Sequence, residues 1–153
     1  MEKIQYIFIF FVYCRNERNF NSNSMAELEK FTLEYSVKAS PKVLYTLIST
    51  AEGLSRWFAD NVDIEGRDVF NFKWEDSEQS ARMVQSKENE YVRFQWLDGL
   101  YKDCYFELEI ITEPVSSEVA LLVTDYSDPD DIDFAKLLWN TQVGLLQRMF
   151  NNA

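Results

Sequence analysis

Ile132-Asp133-Phe134-Ala135-Lys136-Leu137-Leu138-Trp139-Asn140-Thr141-Gln142-Val143-Gly144-Leu145-Leu146-Gln147-Arg148-Met149-Phe150 is the stretch on which the fold turns. Read at helical spacing, Ile132, Ala135, Trp139, Val143, Leu146 and Phe150 fall in one stripe, with Leu138, Leu145 and Met149 beside it. That apolar face is wider than a helix resting on a flat surface needs. Asp128 and Pro129 stand where a cap and a first-turn proline belong. Asp130, Asp131 and Asp133 suit the positive end of the helix dipole. The pattern predicts a helix over Asp130–Phe150, about 20 residues and so ~30 Å long.

Upstream, the periodicity changes from helical to alternating. Tyr91–Trp96 turns Val92, Phe94 and Trp96 to one side, and Val69–Trp74 does the same with Phe70, Phe72 and Trp74. Cys104–Ile110 places Cys104, Phe106, Leu108 and Ile110 inside, and Val119–Val123 places Val119, Leu121 and Val123 there. Asn61–Ile64 reads as a short strand ending at Glu65-Gly66, and Ala81–Gln85 as another with a less distinct pattern. Glu88-Asn89-Glu90 and Asp98-Gly99 supply turns, and Pro114 ends a run. Short connections predict antiparallel pairing.

Earlier still, Phe31, Leu33, Tyr35 and Val37 alternate as a half-buried strand. Ser40-Pro41 then opens a helix with Val43, Leu44, Leu47 and Ile48. Ser49-Thr50-Ala51-Glu52 has capping-box spacing and opens a second short helix carrying Leu54, Trp57 and Phe58. The economical arrangement is an α+β fold: a curved antiparallel sheet of about six to seven strands wrapped around the long C-terminal helix. The two short helices close one end.

At 153 residues the chain has the length of one domain. It contains no histidine, which excludes Ser-His-Asp and Cys-His nucleophile systems, His-based zinc sites and histidine proton transfer. Cys14 and Cys104 lie far apart and form neither a zinc motif nor a disulfide framework, so a reducing, cytoplasmic setting is expected. The net charge of −11 disfavours nucleic acid and anionic membrane surfaces as partners. Asp125, Asp128, Asp130, Asp131 and Asp133 lack the glycine and the glutamate of a calcium loop, and Pro129 interrupts them, so they read as helix capping. Asp60, Asp63 and Glu65 read as a solvated strand edge. Cys104 on an apolar strand face is inert, Glu107 and Glu109 point away from the core, and no nucleophile has a base beside it. No enzyme activity, metal or cofactor is therefore expected.

Residues 1–24 differ from the rest. Ile4–Cys14 is apolar but too short for a membrane-spanning helix, and Arg15–Ser24 is polar and Asn-rich. Glu2 beside Lys3, and bulky Val12-Tyr13 before Cys14, argue against a secretion signal and a lipid-carrying cysteine. The segment reads as a disordered extension or one placed before a natural start at Met25, with a single domain over 25–153.

Ala39-Ser40-Pro41-Lys42-Val43-Leu44-Tyr45-Thr46-Leu47, then Leu54-Ser55-Arg56-Trp57-Phe58, then Phe70-Asn71-Phe72-Lys73-Trp74 and Val92-Arg93-Phe94-Gln95-Trp96, then Trp139–Leu146, together resemble the START-like helix-grip superfamily. The likeness covers Glu29–Phe150. Its nearest branch is that of the activators of the heat-shock-protein-ninety ATPase, especially small stand-alone bacterial START-like proteins. The chain departs from that pattern in having few glycines between its middle strands. The resemblance implies a helix-grip fold with a space between sheet and helix suited to a hydrophobic or amphipathic ligand. Trp57, Phe72, Trp74, Phe94, Trp96, Phe106, Trp139 and Val143 are the expected lining. The alternative is a protein-interaction module, chaperone co-factor-like or a homodimer, in which the same rings form a filled core.

Overall fold

The alternation of apolar residues is realised as seven strands, and the helical stripe as one long helix against them. The structure, a computed structural model, describes residues 28–99 and 101–151. The extension read over residues 1–24 lies outside the described residues. In chain order the elements are β1 (Glu29–Ser36), α1 (Pro41–Ser49), α2 (Ala51–Leu54), β2 (Asn61–Glu65), β3 (Val69–Trp74), β4 (Ser77–Lys87), β5 (Tyr91–Trp96), β6 (Tyr105–Thr112), β7 (Val119–Ser127) and α3 (Ile132–Asn151).

The strands form one antiparallel sheet in the order β1-β7-β6-β5-β4-β3-β2. β2 to β7 run as a meander of hairpins, and β1 closes the row by pairing with β7, Phe31 opposite Asp125 and Leu33 opposite Val123. The helices α1 and α2 carry the chain from one edge of the sheet to the other, α1 lying near β5 and β6 and α2 near β2. A register shift between Met83 and Gln85 marks a bulge in β4, a device that bends a strand and increases its twist. The helix α3 is held against the apolar face of the sheet with Trp139 at 6% and Leu146 at 0% exposure, as the gripped-helix arrangement requires.

Four local readings need correction. First, the short strand read at Ala81–Gln85 is the centre of an eleven-residue strand, Ser77–Lys87. Its early alternation is carried by Ser77, Gln79 and Ala81, which are too small or polar to register as a hydrophobic stripe. Second, β6 begins at Tyr105, so Cys104 precedes the strand and is only half-buried. Third, the helix expected from Asp130 begins with a 3-10 turn, Pro129–Asp131, capped by Asp128, whose carboxylate accepts from Asp130 N at 3.0 Å. Regular α-helix starts only at Ile132. Fourth, α2 is a single turn of four residues capped by Thr50, whose hydroxyl accepts from Gly53 N at 3.0 Å, and Trp57 and Phe58 follow in the turn after it.

The cap expected at Ser40 is present: its hydroxyl accepts from Val43 N at 3.2 Å, with Pro41 leading the helix. Gly53 allows α2 to fold back on α1. A Cβ there would drive into the Thr46 carbonyl oxygen and stand 2.6 Å from the Leu47 Cα.

Candidate functional site

The core-facing stripe of β7 runs Val119, Leu121, Val123, Asp125 and Ser127. Three apolar residues are thus followed by an acid on the same face of the sheet. Asp125, expected from the sequence to belong to a helix-capping cluster, is instead a strand residue paired with Phe31. Backbone pairing with β1 continues past Val123, and the ladder holds Asp125 in line whatever its side chain prefers. Asp128 caps the 3-10 turn that leads into α3. Among the described residues, no group of three or more acids, cysteines or histidines is arranged to hold a metal ion.

The Asp125 residue is half-buried, but its carboxyl group is enclosed. The indole N–H of Trp139, on α3, donates to its Oδ2 at 2.8 Å, and the main-chain N–H of Tyr126 donates to its Oδ1 at 2.8 Å. Burial pushes the carboxyl from 3.8 up to about 7, while the N–H groups of Trp139 and Tyr126 pull it the other way. Desolvation prevails because both partners are neutral dipoles rather than countercharges.

Through Trp139 this acid adjoins a continuous body of rings. Phe58 is its centre, with ring centroids 4.9 Å from Phe72, 5.5 Å from Phe106, 5.7 Å from Trp57, 5.8 Å from Trp74 and 5.9 Å from Trp139. Phe106 continues the body, 5.1 Å from Phe94, 5.1 Å from Trp96 and 5.8 Å from Trp139. Seven of the eight expected lining residues therefore belong to one connected set of rings, and Val143 is buried on the same helix as Trp139. Phe72, Phe94, Phe106 and Val143 have no exposed surface, whereas Trp74, Trp96 and Trp139 keep 6%, 8% and 6% of theirs. These three tryptophans thus stand nearer the outside than the phenylalanines do, whereas Trp57 is fully buried.

The indoles divide by partner. Trp57 donates to the Leu47 carbonyl at 2.9 Å and Trp74 to the Phe58 carbonyl at 3.0 Å, both main-chain acceptors. Trp139 alone of these three is joined to a side-chain carboxylate. Gln142, buried one turn beyond Trp139, donates to the same Phe58 carbonyl at 3.2 Å. Neither Phe58 nor Gln142 is among the lining residues expected from the sequence. The available signal was position: Gln142 stands three residues after Trp139 on the helix stripe, and Asp125 stands two after Val123 on the strand stripe.

Two further polar contacts fasten α3 to β1. Tyr35 donates to Asn140 Oδ1 at 2.6 Å, and burial pushes its phenol up to about 12. Gln147 donates to the Ser36 carbonyl at 2.8 Å. On the other face of the sheet, Glu107 takes a 2.7 Å bond from Arg93, whose guanidinium lies 4.2 Å from the Tyr105 ring centre. A cleft of about 340 Å³ lies at the end of β1, lined by Ser36–Ser40 and Ser117–Val119; none of the expected lining residues borders it. Among the described residues, no helix is long and apolar enough to cross a membrane.

A family model described as the START-like superfamily domain matches residues 25–152. The Bacteroides fragilis protein BfR322, solved by NMR, is 32% identical, with 80% of this chain and 91% of that one covered and a TM-score of 0.58. The Aha1 dimer from Colwellia psychrerythraea, also solved in solution, is 16% identical, with 81% of this chain and 97% of that one covered and a TM-score of 0.69. A Bacillus thuringiensis protein is 15% identical, covers 80% of this chain and 98% of its own, and has a TM-score of 0.69. No protein with a curated description matches the chain. The matched span takes in the sheet, both short helices and the whole of the long helix, and the chain belongs to the START-like superfamily.

Proposed function

We propose that this protein binds a small amphipathic molecule between the sheet and α3, without catalysis. Trp57, Phe72, Trp74, Phe94, Trp96, Phe106, Trp139 and Val143 form its apolar lining, and Asp125 is its polar anchor. The observation that carries this reading is the enclosed carboxylate of Asp125, set at the end of an apolar stripe and bonded to Trp139. A buried acid held only by neutral groups costs stability, and such groups cluster at functional sites. An apolar wall with one polar point is the usual make-up of a small-molecule site. The protein purified from its own host and examined by native mass spectrometry is expected to carry a small molecule that leaves on unfolding. Repeated preparations with the bare protein mass, together with no change in stability across a panel of amphiphiles, would overturn the reading.

A second reading, an interaction module with a filled core, is supported by the density of ring contacts about Phe58. It gains support also from the dimeric state of the Colwellia relative. Sedimentation separates the two: a stable dimer or partner complex without any small molecule favours the module.

A further inference from the structure

Among the described residues, no cation stands against the Asp125 carboxylate. Its partners Trp139 and Tyr126 are neutral donors. Buried charges are ordinarily paired, because an unpaired one forfeits its hydration for nothing. Trp139, which meets Asp125 by its N–H edge, leads into apolar rings: Phe106 at 5.8 Å and Phe58 at 5.9 Å, with Trp96 5.1 Å from Phe106.

These features choose among head groups. An anion would meet Asp125 and the −11 charge of the whole chain. A neutral hydroxyl would bond to the carboxylate and leave its charge uncompensated. A quaternary ammonium would bring charge but no N–H for an acceptor oxygen. A protonated primary or secondary amine brings both.

Resting on the binding reading above, we propose that the ligand is an amphipathic amine whose protonated nitrogen donates to Asp125 while its hydrocarbon body lies against Phe58, Trp96, Phe106 and Trp139. The indole of Trp139 keeps the carboxylate turned to receive it.

The test is a titration of the full chain at about pH 8 and physiological salt with octylamine, octanol, octanoate and octyltrimethylammonium, each below its micelle concentration. Octylamine is expected to bind about tenfold or more tightly than the other three, and Asp125→Asn is expected to remove that margin, so that octylamine and octanol bind the variant alike. Equal binding of all four, or an amine preference that survives Asp125→Asn, overturns the head-group inference and leaves the binding reading standing. No binding by any of them overturns both. A second measurement needs no variant: saturating octylamine is expected to shift the indole N–H resonance of Trp139 in the unaltered protein. An unmoved resonance at saturation overturns the proposal even where the variant fails to fold.

Discussion

Trp139 on the gripped helix donates its indole N–H to Asp125 on the seventh strand at 2.8 Å, joining the two layers of the fold through a carboxylate that burial holds near neutrality. The contact places a titratable group at the seam between sheet and helix.

The pH dependence of stability follows from that placement. Asp125 keeps its proton in the folded chain up to about 7, whereas unfolded it loses it near 3.8. Folding therefore takes up a proton in that window, so stability falls as pH rises across it and levels above it. Asp125→Asn removes this contribution. The loss of stability between about pH 5 and pH 8, measured by urea unfolding, is expected to be smaller in the variant by ~3 kcal/mol. Parallel profiles for the two proteins would contradict the assignment.

Phe58 is the ring that the others share. Phe58→Ala leaves a void in contact with Phe72, Trp74, Phe106 and Trp139. It is expected to cost about 3–5 kcal/mol in denaturant unfolding, as buried phenylalanine truncations do. A cost under ~1 kcal/mol would mean that the rings do not depend on it.

Gly53→Ala tests the close approach of the two short helices. The added methyl group meets main-chain atoms of Thr46 and Leu47, which cannot swing aside. The substitution is expected to destabilise the fold by about 1–3 kcal/mol, although alanine is the better helix former. An increase in melting temperature would refute the packing argument.

Glu113 organises the hairpin between β6 and β7. Its carboxylate accepts from Ser116 N at 2.6 Å and Val115 N at 2.8 Å, and these bonds, that from Ser116 foremost, hold its pKa below the ordinary carboxylate value. The ionised form fixes the turn above that ordinary value, and the hold is lost as pH falls through the lowered one. Glu113→Ala is expected to speed hydrogen exchange at Val115 and Ser116 while leaving the core amides unchanged. Unchanged rates at both positions would show that the carboxylate does not hold them.

Much of the architecture was legible because burial on one face imposes a period. Phe70, Phe72 and Trp74 declare a strand, as Val92, Phe94 and Trp96 do, and the stripe through Trp139, Val143 and Leu146 declares the helix. The signal weakened where core positions are small or polar. Ser77 and Gln79 hid the start of β4, and Asp125 hid the end of β7 among neighbouring helix-capping acids. Of the candidate site, the rings were readable one by one; that Phe58 lies at their centre was not, because it sits in a turn outside any periodic run.

The amino-acid sequence by itself determined which faces are apolar, where the chain turns, and that the last helix needs apolar cover on a broad front. Those are local consequences of side-chain spacing and main-chain sterics. Only the tertiary structure decided which distant groups meet. It set β1 beside β7, brought Trp139 onto Asp125 across 14 residues and Gln142 onto the Phe58 carbonyl across 84. It also removed water from the carboxyl of one aspartate among many. Desolvation is a property of surroundings rather than of a residue type, which is why the acid on which the functional proposal rests emerged only once sheet and helix were in place.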